Sequence, residues 1–424
     1  ALWILDMANS VWAAKGPLGN RNFRLILGGA AIGHLLMPLQ FVTQILWVQA
    51  HAPEDVWLIL VAVIGASRGV GALTFGLYGG ALADRFDRRK LLLTTQALLV
   101  LMTIGITGLM LGSDGGTVGF VFFFLLTFLS AGLQSIDMPT RLAIVPDILG
   151  PDLTPAGMSL NQVAGQLAMP IALIGMGFII DSLGFGGAYG LSLIGQFVVI
   201  LFLARMSERM PFAEPRKQRG VYGFGEAIRD VRDGLAYARG HKVVLWVIVL
   251  LVTMMGLGMP AVGNLGPAWI TTVIGVEIRD LGWVMMTWGL GSLVAALLMT
   301  RFASIPRRGL VIGGGALLFA LSYVVFTIDN TVANVVIGNF GLGAGMTTAM
   351  VSSTILIQQL VPNEVRGRIM GILQLNMGFA QLMTMPVAIL GQWLTLPVLF
   401  PGLALVTLGA ILLVLATRRQ ILRA

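Results

Sequence analysis

The chain has no cysteine in its 424 residues and only three histidines, His34, His51 and His241. Without a thiol there is no disulfide, no thiolate metal site and no cysteine nucleophile. Three imidazoles spread over the length exclude a histidine-rich metal centre. Charge is equally scarce. Asp, Glu, Lys and Arg make up 11% of the residues, against about 25% in a typical soluble domain. Acids are the rarer sign, 19 against 27 bases, for a net charge of +8. So little polar surface cannot clothe a water-soluble fold of this size. No G-x-x-x-x-G-K-[ST] signature is present, so ATP is not the direct energy source. No cluster of histidines or paired carboxylates falls at one depth of the hydrophobic segments, so no enzyme chemistry and no cofactor are expected. The short apolar start, Ala1 to Ala14, lacks a basic stretch and a small-residue cleavage site, so it does not read as a cleavable signal.

What fills the chain instead is hydrocarbon and glycine. Apolar residues are 57% of the total and 55 residues are glycine, and the mean hydropathy is +0.89. A helix needs about 20 apolar residues to cross the hydrocarbon core. Runs of that kind lie near 23–48, 56–82, 91–112, 118–142, 157–181 and 187–205. Six more lie near 243–263, 281–300, 309–327, 331–356, 367–391 and 396–416. Small residues allow such helices to approach closely. The expectation is an all-α membrane protein of twelve transmembrane helices.

The bases test that count. With the N-terminus placed inside, 25 of the 27 Lys and Arg residues fall in or beside inner segments; only Arg279 is outside and Arg68 lies within a helix. The outer loops carry acids instead: Glu54, Asp55, Asp114, Asp181, Glu277, Asp280 and Asp329. This is the positive-inside pattern and not a nucleic-acid-binding face. It predicts both termini in the cytoplasm. The domains expected are a cytoplasmic N-terminal segment (1–22), a six-helix bundle (23–205), a cytoplasmic linker (206–242), a second six-helix bundle (243–416) and a tail (417–424). The linker holds a plausible amphipathic helix, Phe224 to Leu235, able to lie along a membrane surface.

The densest charge knot runs from Gly80 to Lys90, with Asp84, Arg85, Asp87, Arg88, Arg89 and Lys90 packed between two apolar runs. A weaker copy recurs in the second half, where Arg301-Phe302 matches Arg85-Phe86 and Arg307-Arg308 matches Arg88-Arg89; Thr300 stands where Asp84 does. Leu160-Asn161, Gln166-Leu167 and Pro170 likewise recur as Leu375-Asn376, Gln381-Leu382 and Pro386. Such an internal repeat marks two halves of one plan.

The knot closely resembles the loop after the second helix of the major facilitator superfamily, G-x-x-x-D-[RK]-x-G-[RK]-[RK], with Asp87 in place of the second glycine. Asn20-Arg21-Asn22-Phe23-Arg24, Asp137-Met138-Pro139-Thr140-Arg141 with Val145-Pro146-Asp147, and Val361 to Arg368 resemble the enterobactin-exporter branch of that superfamily. The resemblance implies two pseudo-symmetric six-helix bundles that rock about a site between them. It implies that Gly80 admits the eleventh helix closely and that Asp84 faces that helix's N-terminus, where an anion is favoured. Gly80, Asp84, Arg85, Asp87, Arg88, Arg89, Asp137 and Arg141 are thus the gating candidates, with Asp87 stiffening the turn and offering a partner to Arg88 or Arg141. The superfamily's antiporter signature in the fifth helix is largely missing around Met169-Pro170.

Candidates for the transported molecule or a proton are the polar groups in the spans. Arg68 sits near the centre of the second, where a charge costs upward of about 2.5 kcal/mol; it must face a cavity or a partner, with Gln40, Gln44 or Gln134 within reach. One reading has it attract an anionic substrate group, the other has it amide-paired and structural. His34 is the only embedded imidazole and suits proton exchange, or serves as a packing residue. Asn161, Gln166, Asn376 and Gln381 could line a cavity or bond between helices. Pro170 and Pro386 should kink the fifth and eleventh helices. The function expected is a monomeric secondary transporter, exporting a small organic molecule (siderophore-like, drug-like or an organic anion) by alternating access with protons as a coupling ion. The alternative is a non-transporting scaffold of a membrane complex.

Overall fold

The computed structural model describes residues 16–112, 116–207, 210–212, 224–301, 307–418 and 420–423. Among these every element is helical. The first half opens with α1 (Arg21–His51), α2 (Trp57–Arg85) and α3 (Arg88–Gly112). A continuous stretch Thr117–Arg205 follows, broken at Gly150 and Gly184, whose φ angles are 73° and 66°. Only glycine adopts that left-handed backbone without strain, so the two residues divide the stretch into α4 (117–149), α5 (151–183) and α6 (185–205). The linker helix is α7 (Phe224–Gly240).

The second half begins with α8 (Lys242–Met259), which passes through a π-helical turn at Pro260–Leu265 into α9 (Gly266–Thr272). Together they make one span, in a region (257–280) where hydropathy alone defines no clear connection. Next come α10 (Ile278–Arg301), α11 (Arg308–Ile328) and α12 (Val332–Leu360). The following span is divided into α13 (Asn363–Leu382) and α14 (Thr384–Trp393) at Met383. Pro386 lies in the first turn of α14, where its missing N–H removes the bond to Leu382 that would have continued the ladder. Pro170, by contrast, sits inside α5 with helical backbone around it. The chain ends in α15 (Leu396–Thr417) and the short α16 (Gln420–Arg423).

Among the described residues ten stretches are long and apolar enough to cross a membrane, and one of them is Thr117–Arg205. Divided at its two glycines, that stretch supplies three spans, so the twelve expected helices are present. The first six form one bundle and the last six the other.

The bundles meet along two seams, α2 against α13 and α14, and α5 against α10. Glycines set the distance. A Cβ on Gly69 would lie 3.0 Å from the Gly378 carbonyl oxygen. One on Gly177 would lie 2.5 Å from the Arg279 carbonyl oxygen, and one on Gly289 3.0 Å from the Pro170 nitrogen. Gln49 on α1 and Thr271 on α9 hydrogen-bond across the bundles at 3.2 Å, and Gln392 donates to the Asp55 carbonyl at 3.0 Å. All of these contacts except those around Gly69 and Gly289 lie near the face opposite the linker helix.

Candidate substrate site

Arg68 lies 11 residues into α2, about 16 Å along the helix at 1.5 Å per residue, which is close to the middle of a bilayer core about 30 Å thick. Its guanidinium donates to the Gln44 Oε1 at 3.5 Å and sits 4.9 Å from the centre of the Phe41 ring. Gln44 is in turn fixed from the other side. Its Nε2 donates to Tyr189 Oη at 3.1 Å and to Thr127 Oγ1 at 3.4 Å. The chain of contacts therefore runs from α2 through α1 to α4 and α6. Among the described residues no carboxylate pairs with Arg68, and the residue is half-buried. The Phe41 face offsets part of the cost of the charge, but a planar five-donor group keeps donors to spare.

The other bundle reaches this level through Gln381. Gly65 and Gly69 flank Arg68 on α2, and a Cβ on Gly65 would lie 3.3 Å from Gln381 Oε1. Among the described residues that oxygen is buried without a hydrogen-bond partner. Asn376, on the same helix, is buried with neither amide atom bonded to a described residue, and Gln40 Nε2 is likewise unpartnered among them. Of the candidate partners for Arg68, the structure selects Gln44. Gln134, Asn161 and Gln166 are half-buried and are not joined to the Arg68 cluster.

A second polar cluster lies toward the linker face. Asp137 accepts from Thr95 Oγ1 at 3.1 Å and Gln96 Nε2 at 2.9 Å, and it pairs with Arg141 one turn further along α4. His34 lies beside this pair, against Gly165 of α5 and within electrostatic range of Arg141. Arg141 Nη1 is buried without a hydrogen bond to any described residue.

The end of the charged loop is wired within the first bundle. Asp87 caps α3, accepting from the Lys90 amide at 3.0 Å, and so stiffens the turn into that helix. Arg88 pairs with Asp147 at 2.7 Å and also donates to the Ala143 carbonyl at 2.7 Å. Arg89 donates to the Leu203 and Ala204 carbonyls at 3.0 and 2.7 Å, where a cation suits the helix C-terminus. Both arginines therefore tie α3 to the ends of α4 and α6 within the first bundle. The side chains of Gly80, Asp84, Arg85 and Thr300 lie outside the described residues. Asn20 caps α1, its Oδ1 accepting from Asn22 and Phe23 amides, and its Nδ2 donates to the Ile148 carbonyl at 3.2 Å. On the linker, Asp230 of α7 holds Arg368 of α13 at 2.9 Å.

Comparison with known proteins places this arrangement. The family model described as Major Facilitator Superfamily matches residues 31–385 and 253–422. The chain belongs to the major facilitator superfamily. Among the relatives of this facilitator is an Enterobactin exporter EntS from Shigella boydii serotype 18, 24% identical over 71% of this chain and 70% of the relative. Another of the same name, from Escherichia coli O81, is also 24% identical, over the same shares. The fold is shared with the nucleoside transporter NupG (TM-score 0.75, 11% identity, 94% of this chain and 99% of that one). It is shared too with a peptide transporter POT in complex with sulfate (TM-score 0.75, 15% identity, 95% of each chain).

Thr127, Tyr189 and Phe41 around Arg68, and Thr95 and Gln96 around Asp137, do not stand out in the sequence. Each is an ordinary residue in an apolar run, and only the packing of distant helices gives it a partner.

Proposed function

We propose that this facilitator is a secondary transporter that exports a small organic anion across a bacterial inner membrane by alternating access, driven by the proton gradient. Arg68 carries the reading. A guanidinium near mid-membrane, half-buried and without a carboxylate among the described residues, calls for an anion that arrives and leaves. Gln44 and Phe41 hold its plane, while Gln381 brings an unsatisfied acceptor from the opposite bundle to the same level. That acceptor suits a hydroxyl or amide of the same molecule.

Export is supported by the curated relatives, which are named enterobactin exporters. The basic residues on the linker side support a cytoplasmic linker and termini. The cross-bundle contacts toward the opposite face support a site approached from the linker side. His34, half-buried beside Arg141, is the titratable group proposed to exchange the proton.

The test is flux in proteoliposomes with anionic, neutral and cationic compounds, with and without a pH gradient. Arg68→Gln should cut anion flux at least about thirtyfold, the loss of about 2 kcal/mol expected when a buried charge contact is removed. Anion flux left intact in that variant would overturn the site. Flux indifferent to the gradient would overturn the coupling.

A further inference from the structure

Near the linker face, α11, α15 and α16 enclose an open groove of about 740 Å³. Leu310 and Leu317 form one wall and Leu412, Leu415 and Ala416 the other, with Arg307 at the mouth. The spacing explains the walls. Positions 310 and 317 are seven apart and 412 and 416 four apart, so each pair lies along one helix face. Leu422 of α16 closes one end, held there because its neighbour Ile421 is fully buried.

We propose that this groove binds an anionic phospholipid, with the acyl chain along the leucines and the phosphate on Arg307. Depth is the first argument. Arg307 stands just before α11, and Leu317 lies ten residues deeper, about 15 Å along the axis. That is half of a hydrocarbon core about 30 Å thick, so the apolar part of the groove runs the depth of one leaflet. A soluble anion would have no use for such a floor.

Charge is the second argument. Arg307 is exposed and forms no ion pair among the described residues. From Leu281 to Ile328 there is no Asp or Glu, nor is there one from Val365 to the end of the chain. The helices that build the groove thus supply arginine without any acid. Arg418, at the end of α15, adds a second cation on the same face, its guanidinium 4.1 Å from the centre of the Trp246 ring. Tryptophan and arginine at this position mark the headgroup level, and basic pockets between membrane helices are suited to anionic headgroups. A zwitterionic lipid would offer the leucines the same chain but leave Arg307 without net countercharge.

Native mass spectrometry of the protein, equilibrated with equal phosphatidylglycerol and phosphatidylethanolamine, tests the proposal. The wild type should retain phosphatidylglycerol preferentially. Arg307→Gln should reduce that preference about fivefold, the effect of one cation at a charged surface, and Arg307→Lys should keep it. Ala416→Trp, which fills the groove and leaves Arg307 in place, should remove the retained lipid of either kind. Equal retention of both lipids by the wild type, an unchanged preference in Arg307→Gln, or undiminished retention in Ala416→Trp would each overturn it. Arg307 is exposed, so its variants keep the fold and remain informative if the tryptophan variant does not.

Discussion

Two arginines in the first bundle face the same physical problem and solve it in opposite ways. Arg141 is paired with Asp137, which also accepts from Thr95 and Gln96. Its charge is neutralised inside the chain, one turn away on the same helix. Arg68 has an amide and an aromatic face in place of an acid. Arg141 has its counterion within the chain, even though its Nη1 makes no hydrogen bond among the described residues, whereas Arg68 must find a counterion elsewhere. The comparison separates a cation that holds helices together from a cation that meets a passenger, even though both sit on membrane helices a few turns apart in depth.

The largest effect should come from breaking the Asp137–Arg141 ion pair. Asp137→Ala leaves Arg141 buried without its acid, a change that costs about 3–5 kcal/mol. We expect this variant to lose most of its thermal stability in detergent, read by size-exclusion profiles after heating. Replacing both partners, Asp137→Ala with Arg141→Met, should restore much of it, because two apolar side chains leave no orphan charge. If the single variant melts like the wild type, the pair is not structural and the contrast with Arg68 collapses.

A second variant would turn one arginine into the likeness of the other. Gln44→Glu puts a carboxylate where Arg68 already donates, at nearly the same volume. Thr127 and Tyr189 can then donate their hydroxyl protons to it instead of accepting from the amide. Stability should hold or rise, while anion flux should fall at least about tenfold because the counterion is now built in. That factor corresponds to about 1.4 kcal/mol, a modest share of a buried charge contact. Undiminished flux in Gln44→Glu would mean that Arg68 does not meet the passenger.

The same contrast shows what the residue order reveals. Asp137 and Arg141 are four apart, so helical geometry alone brings them together, and the pair is legible in the residue order by itself. The spans and the helix Phe224–Gly240 are legible too, since hydropathy and helical periodicity are properties of local composition. The partner of Arg88 is not. Proximity in sequence nominates Asp87, but the start of α3 needs a cap and takes Asp87 for that purpose. Arg88 pairs with Asp147, 59 residues on, an acid that only the packing of α3 against α4 can deliver. The Arg68 cluster is half legible: a charge in mid-span announces itself, and Gln44 is one of three amides within reach. Tyr189 lies 145 residues from Gln44, and nothing local distinguishes it from any other aromatic residue in an apolar helix.

Tyr189 therefore offers the mildest and most discriminating test of the incomplete site. Its hydroxyl accepts one hydrogen bond from Gln44 and lies within electrostatic range of Arg68 without bonding to it, so we expect it to act by positioning. Tyr189→Phe removes that bond and nothing of the ring. Hydrogen bonds between membrane helices average about 0.6 kcal/mol, so the apparent KM for the anion should rise about threefold with kcat little changed. Thr127→Val, which removes the longer of the two bonds, should do no more. With both hydroxyls gone, the Gln44 amide is free to turn, and the double variant should weaken binding by more than the product of the two. A structural role alone would lower stability in each variant without moving KM. The separation of KM from melting temperature decides whether the chain from Tyr189 through Gln44 serves the guanidinium or merely the packing of α1 against α6.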